Sequence, residues 1–319
     1  MVDPKLDARI LVTGAYGFLG SFLVQRLKGG AERGLLLPTR QECDLLQFGH
    51  VSGYIEKHKP GIVFHLAARV GGIGANQRNP GKYFYENMQM GMNVLEASRQ
   101  CGVEKVVLVG TICSYPKHTP VPFREEDLWN GYPEETNAPY GIAKKALMVM
   151  AEAYRAQYSL NTISLLPVNL YGPRDNFHLE NSHVIPAMVR RCLDAVDNGD
   201  ATIVLWGDGS PTREFLYVED CAEGLVLAAE RYDEAQPVNL GAGYEISMRD
   251  LAHLIAAKTG FEGDIVWDTT RPNGQPRRML DTTRARDAFG FEAKTSLEEG
   301  LAKTVAWYKA HKHRLSHYG

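Results

Sequence analysis

Apolar positions in the first half of the chain come in short, nearly unbroken runs. "RILVTG", "GLLLP", "GIVFHLAA", "KVVLVGT" and "NTISLLPV" are each bounded by polar, Gly or Pro residues. Runs of that length predict strands buried on both faces. The stretches between them, such as "ENMQMGMNVLEASRQ", carry apolar residues at helical spacing. Strands alternating with helices predict βαβ units with right-handed crossovers. The expected fold class is therefore α/β: a Rossmann-type doubly wound parallel sheet with a smaller, discontinuous C-terminal substrate-binding lobe.

From residue 169 the rhythm changes. "NLYGPRDNFHLENSHVIP" is long and polar, and the helix-like "AMVRRCLDAV" follows it. "PTREFLYVEDCAEGLVLAAERY" and "QPVNLGAG" then read as a return to the sheet. The expected division is a cofactor domain over 1–168, completed by about 215–243. A second lobe is expected over 169–214 and 244–319. No internal repeat or low-complexity segment stands out.

Composition narrows the function classes. Apolar residues make up 44% of the 319, and charged residues 23%, as in ordinary globular proteins. A formal net charge of −3 offers no basic field for nucleic acid or an anionic membrane. No run reaches the ~18 apolar residues of a membrane span. The N-terminal "MVDPKLDARILVTG" lacks the cationic and apolar regions of a secretory leader. The cysteines, Cys43, Cys101, Cys113, Cys192 and Cys221, are odd in number, scattered and without a CxxC. That pattern predicts a reduced, cytoplasmic protein without disulfides or structural zinc. His311, His313 and His317 near the C-terminus are expected to be a solvated tail.

Candidate chemistry begins at "ILVTGAYGFLGSFLVQRL". Gly14, Gly17 and Gly20 follow a predicted strand and open an amphipathic helix. Glycines there let the backbone approach a pyrophosphate, and the helix N-terminus supplies free N–H groups. The second strand, "GLLLPTRQ", lacks the acid that would hold the ribose hydroxyls of NAD. Arg40 follows instead, and a guanidinium suits a 2′-phosphate, so NADP is the expected cofactor. Asp44 is a candidate hydrogen-bond partner for the adenine amine.

"NAPYGIAKKALMVMAEAY" carries Tyr140 and Lys144 four residues apart, on one helical face. An ammonium beside a phenol stabilises phenolate. Tyr140 is thus a candidate proton donor or acceptor at a carbonyl, and Thr111 a candidate hydrogen-bond partner for the same oxygen. "VVLVGTICSYP" places Thr111, Cys113 and Tyr115 at alternate positions, which share one face if the strand runs on. On these residues alone, Cys113 is either a small buried hydrophobe or a reactive thiol. Tyr115 is expected to be pocket wall.

"TGAYGFLG" and "YGIAK" resemble the two signatures of the extended short-chain dehydrogenase/reductase family. Four further segments resemble one branch of it: "LAARVGGIGANQRNP", "NLYGPRDNFHLENSHVIPAMVRR", "WGDGSPTREFLYVED" and "NGQPRRMLD". That branch epimerises GDP-4-keto-6-deoxy-D-mannose at C3 and C5 and reduces C4 with NADPH, giving GDP-L-fucose. The resemblance runs from Arg9 to Trp307. It implies Cys113 as the base of epimerisation and His183 as the acid on the opposite face. Tyr140 and Thr111 are implied to hold the oxygen, and Lys144 to grip the nicotinamide ribose. The cofactor would lie along Gly14, Tyr16, Gly17, Phe18, Leu19, Gly20, Arg40, Asp44 and Leu45, then Ala67, Ala68, Lys144, Pro167, Asn169, Leu170 and His183. Substrate positions implied are Asn169, Arg191, Trp206, Arg213 and Arg278. A homodimer through the helix after "NPGKYFYENMQM" and the helix after Tyr140 is also implied.

The chain departs from that branch at three positions. Thr111 replaces the usual serine, Val168 the usual threonine, and Tyr16 stands where some members carry a basic residue. Two other readings remain at this point. One is a related epimerase or reductase acting on another nucleotide 4-keto sugar. The other is a non-catalytic cofactor sensor, against which the presence of both Tyr140 and Lys144 argues.

Overall fold

The computed structural model describes residues 8–29, 34–71, 73–179, 182–271 and 273–315. The elements begin with β1 (Ile10–Thr13), α1 (Phe18–Lys28), β2 (Leu35–Leu36), α2 (Phe48–His58), β3 (Ile62–His65), α3 (Ile73–Arg78) and α4 (Pro80–Gln100). They continue with β4 (Lys105–Val109), α5 (Ala138–Tyr158), β5 (Asn161–Pro167), β6 (Asn169–Tyr171), α6 (Val184–Asn198), β7 (Thr202–Trp206), β8 (Thr212–Arg213), β9 (Phe215–Tyr217) and α7 (Val218–Arg231). The last are β10 (Val238–Leu240), β11 (Ile246–Ser247), α8 (Met248–Thr259), β12 (Asp264–Asp268), β13 (Arg277–Arg278), α9 (Thr283–Phe289) and α10 (Leu297–Leu315).

The large sheet has the order β10-β5-β4-β3-β1-β2, and every neighbouring pair is parallel. The expected doubly wound sheet is what forms. Apart from the half-buried edge strand β2, its strands are buried on both sides, which is why they read as continuous apolar runs. Successive residues serve opposite cores: Ile10 and Val12 pack with α1 and α7, whereas Leu11 packs with α2, α4 and α5. After β2 the chain crosses to the other side of β1 to form β3. Ligands of such sheets lie beyond the carboxyl ends of the strands at that reversal.

A third core joins α6, α8 and α10 through Ile185, Val189, Leu251, Ile255, Leu301 and Val305. Three small sheets accompany it: β12-β7, β6-β9 and β11-β8-β13. The helix α9 packs on the core of the large sheet through Ala285 and Phe289. Among the described residues no helix is long and apolar enough to cross a membrane. His311, expected in a solvated tail, lies in α10 with its ring stacked 4.5 Å from that of Trp307. His317 falls outside the described residues.

Candidate active site

The phosphate loop is shaped by steric demand. Gly14 has φ +74°, and a Cβ there would stand 2.8 Å from the Ala67 nitrogen. The Gly17 N–H donates to the Gly14 carbonyl at 3.0 Å. A Cβ on Gly20 would collide with that same carbonyl oxygen at 2.0 Å. Gly17 caps α1 without a side-chain hydrogen bond, so the first N–H groups of the helix stay available to an anion. Phe18 and Leu19 are half-buried at the helix start, and Ala67 and Ala68 are half-buried at the end of β3. The Ala67 N–H donates to Thr13 Oγ1 at 3.4 Å, which ties the two strand ends together.

Beyond β2 there is no carboxylate before Arg40. The Tyr16 hydroxyl donates to the Leu37 carbonyl at 3.1 Å, which lays the phenol across the end of β2. The Arg40 guanidinium is 63% exposed and lies 3.7 Å from Asp44. The Asp44 carboxylate also accepts from the Leu46 N–H at 3.2 Å. The Leu45 carbonyl is held by Asn93 at 2.8 Å. A cradle of glycines, an uncapped helix end and an exposed arginine suit a dinucleotide with a 2′-phosphate.

The strand β4 stops at Val109, so the alternation expected across 111–115 does not hold. Residues Ile112–Ser114 form a 3₁₀ turn capped by Thr111, whose oxygen accepts from the Cys113 N–H at 3.2 Å. The turn carries Cys113 toward α5 and sends Tyr115 inward. Tyr115 is buried, and its hydroxyl donates to Asn239 Oδ1 at 2.7 Å. It is a core residue and not the pocket wall expected. The Ser114 hydroxyl donates to the Gly141 carbonyl at 3.1 Å. A Cβ on Gly141 would stand 2.2 Å from the Cys113 oxygen, so only glycine beside Tyr140 lets the turn and helix close.

Tyr140 and Lys144 are both buried on α5. The Tyr140 phenol is hydrogen-bonded to the Thr111 side chain and close enough to Cys113 to interact with its charge. Burial, and then Cys113, push the phenol above the usual tyrosine range, against the smaller opposing effect of Thr111. The expectation that Lys144 lowers this pKa is not met. The lysine Nζ donates to the Val109 carbonyl at 2.9 Å instead, and burial pushes its own pKa down to about 8. Tyr140 is therefore protonated at neutral pH, the form in which it can act as an acid.

His183 caps the N-terminus of α6, in extended conformation, and its side chain is solvent-accessible. Surrounding protein still dehydrates the ring enough to lower its pKa. Pro167 is buried at the end of β5, Leu170 is half-buried in β6, and the Asn169 amide donates to the Glu214 carbonyl at 3.1 Å. Val168 is buried.

Arg213 and Arg278 are paired across β8 and β13. Burial, and then its neighbour Arg278, push the Arg213 guanidinium down to about 10. Two cations held side by side and partly dehydrated are suited to a diphosphate. Arg191 is on α6 and donates to the Val204 carbonyl at 2.7 Å. Two residues further along β7, Trp206 is 58% exposed under the Arg271 guanidinium.

Three polar residues at the site were not legible as such. Glu214 is fully buried, and its carboxylate accepts from the Ala242, Gly243 and Leu280 N–H groups at 2.5, 2.8 and 2.7 Å. It ties the segments after β10 and β13 to the strand that carries Arg213. His65 is buried with Nδ1 2.9 Å from Thr13 Oγ1, and burial followed by Lys144 lowers its pKa to about 3. Gln275 accepts from Arg278 Nε at 2.5 Å. "TREFLYVED" signals Glu214 only weakly, as a lone acid in an apolar run. "FHLAA" signals His65 in the same way.

A doubly wound sheet, a glycine loop at its reversal and a buried tyrosine-lysine pair beside a thiol define a dinucleotide-dependent enzyme of carbonyl chemistry. The chain belongs to the NAD dependent epimerase/dehydratase family, whose model matches residues 10–241. It is 44% identical over 304 residues to GDP-L-fucose synthase of Sinorhizobium fredii, covering 95% of each chain. It is 42% identical over 302 residues to GDP-L-fucose synthase 1 of Arabidopsis thaliana, covering 95% of this chain and 93% of that one. The crystal structure of a GDP-L-fucose synthetase from Naegleria fowleri bound to NADP matches with a TM-score of 0.88 at 28% identity, over 96% of this chain and 95% of that one.

Proposed function

We propose that the protein converts GDP-4-keto-6-deoxy-D-mannose to GDP-L-fucose by 3,5-epimerisation and 4-keto reduction, with NADPH as cofactor. The observation that carries this reading is the convergence of Cys113, Thr111 and Tyr140, with the Arg213–Arg278 pair beside them. A plain ketone reductase needs the tyrosine and its partner but has no use for a thiol at the same oxygen.

Protons on carbons beside the 4-keto group are acidic because the carbanion delocalises into the carbonyl. Cys113 thiolate removes such a proton and becomes the thiol, and the electron pair moves onto the carbonyl oxygen. The Tyr140 and Thr111 hydroxyls hold that oxygen. His183, charged, delivers a proton to the opposite face of the carbon and is left neutral. Solvent then resets both groups. A lowered ring pKa makes the charged His183 a readier acid, and its exposure lets water recharge it. NADPH supplies the hydride for C4 when bound, and Tyr140 gives its proton to the C4 oxygen. Arg213 and Arg191 take up the nucleotide end. Residues 169–214 and 244–319 supply the substrate lobe on this reading, except α9, which packs on the core of the large sheet.

The protein is read as a cytoplasmic homodimer. Phe84 and Tyr85 on α4, with Val149 and Tyr158 on α5, are exposed, and this apolar surface shared by the two helices is what supports the dimer. The test of the reaction is incubation with NADPH and GDP-4-keto-6-deoxymannose in D₂O, with deuterium located in the product by NMR. Deuterium at C3 and C5 of GDP-L-fucose is the expected outcome. C4 reduction without ring deuterium would make the protein a simple 4-reductase. Absence of turnover while GDP still raises the melting temperature would send the reaction to another GDP-4-keto-deoxy sugar.

A further inference from the structure

Glu214 fills the one-residue gap between β8 and β9, where the two ends of the site meet. Before it, β8 pairs with β13 through Arg213 and Arg278 and with β11 through Ile246. After it, β9 pairs with β6, Phe215 opposite Asn169. The main chain of Glu214 serves both sides. Its N–H donates to the Arg278 carbonyl at 3.1 Å, and its carbonyl accepts from the Asn169 amide at 3.1 Å.

The side chain does something else: it fastens β13 to the end of the large sheet. Oε1 accepts from the Ala242 and Gly243 N–H groups, just past β10, at 2.5 and 2.8 Å. Oε2 accepts at 2.7 Å from the N–H of Leu280, two residues beyond Arg278. A Cβ on Gly241 would stand 2.4 Å from Oε1, so glycine leaves the carboxylate room. Such a fastening answers a physical need. Arg213 and Arg278 carry like charges, so side by side and partly dehydrated they repel. Each rests on a strand of only two residues. A carboxylate has acceptor oxygens for N–H groups on both sides of the gap. An amide in its place offers one acceptor and turns a donor toward another donor.

We infer that Glu214 is a positioning residue for the substrate's diphosphate: by fastening the end of β13 to the end of β10, it holds Arg278 beside Arg213 at the spacing that takes two phosphates. The inference rests on the reading of the two arginines as the diphosphate site. It separates two roles within one residue. The main-chain carbonyl steadies Asn169 at the cofactor end, and the carboxylate sets the arginines at the substrate end. Only the second is lost in Glu214→Gln.

The test compares ligands on the full chain. Titration calorimetry gives Kd for GDP, for guanosine, which lacks the phosphates, and for NADPH. In Glu214→Gln the GDP Kd is expected to rise about tenfold, the scale of one lost hydrogen bond to a charged group, with guanosine and NADPH within about twofold. The KM for the GDP-sugar should rise with it, while kcat changes less. Gly241→Ala keeps the carboxylate but crowds Oε1. It should give the same selective loss, smaller, and serves if Glu214→Gln does not fold. Added to Arg278→Gln, Glu214→Gln should cost little more, because it acts through that arginine. Full additivity overturns the inference. So does a GDP affinity unchanged in both Glu214→Gln and Gly241→Ala while Arg278→Gln still weakens GDP, which leaves the diphosphate site standing. Equal losses for GDP, guanosine and NADPH make Glu214 a general support of the fold and overturn the inference as well. A GDP affinity unchanged in both Arg213→Gln and Arg278→Gln overturns the diphosphate reading itself.

Discussion

The two ends of the active site are built on different principles. At the cofactor end, recognition belongs to the backbone. Gly14 and Gly20 touch neighbouring main-chain atoms, and α1 offers its uncapped N–H groups. At the substrate end, recognition belongs to long cationic side chains on two-residue strands, Arg213 on β8 and Arg278 on β13. A backbone cradle tolerates no added atom but has few side chains to lose. A set of arginines tolerates local change, and each member contributes separately. The lesson is that steric damage should be all-or-none at one end and graded at the other.

The sharpest break of that contrast is Gly20→Ala. Its methyl meets the Gly14 carbonyl, which is main chain and cannot swing aside. NADPH affinity, read by fluorescence titration, is expected to fall at least about 100-fold, the scale of a lost set of charge-assisted phosphate contacts. Retained affinity would mean that the loop can open. Next comes Arg213→Gln. The KM for the GDP-sugar should rise about 10- to 100-fold, the loss of one charge-assisted contact at 1.5–3 kcal/mol, while the NADPH Kd stays unchanged. A parallel loss of NADPH affinity would merge the two ends that are distinguished here.

A smaller effect is expected at Arg40, which is exposed and screened by water. Arg40→Ala should weaken NADPH about tenfold and leave NADH unaltered, so the ratio of the two Kd values is the measurement. An equal loss for both cofactors would remove Arg40 from the 2′-phosphate. The smallest effect is on stability. Lys144 has its pKa pushed down to about 8 by burial, whereas the unfolded chain holds that proton up to about 10.4. Between those values the unfolded state binds more protons, so this group's destabilisation is complete below pH 8 and relieved as pH rises toward 10.4. Lys144→Met should therefore melt a few degrees higher than the parent at pH 7, with the difference shrinking by pH 10. A difference independent of pH would mean that the lysine is not dehydrated.

The cofactor end was largely legible in the sequence, because its chemistry is local. A strand, three glycines and a helix start within "ILVTGAYGFLG", and Tyr140 and Lys144 are one helical turn apart. Periodicity also gave the parallel strands, since burial on both faces leaves a continuous apolar run. The thiol end was legible only as a list of residue types. The stop of β4 at Val109 depends on Thr111 capping the next turn, which alternation of side chains does not reveal. Tyr115 turns into the core because Asn239, 124 residues later, accepts its hydroxyl. The contacts of Arg278 with Cys113 and of Glu214 with Leu280 join segments far apart in the chain, and no local pattern carries them.

The order of strands in the large sheet bears on the chain as it is made. β5 is an apolar strand, buried at six of its seven positions, and its outer edge is covered by β10. About seventy residues separate the end of β5 at Pro167 from the start of β10 at Val238. At translation speeds of about 5–20 residues per second, that edge stays open for roughly 4–14 seconds on each ribosome. An unpaired apolar edge is a template for pairing with another chain. Crowded polysomes and cold, slow translation are therefore where this protein is most exposed to aggregation, and where a chaperone that shields strand edges would raise its yield most.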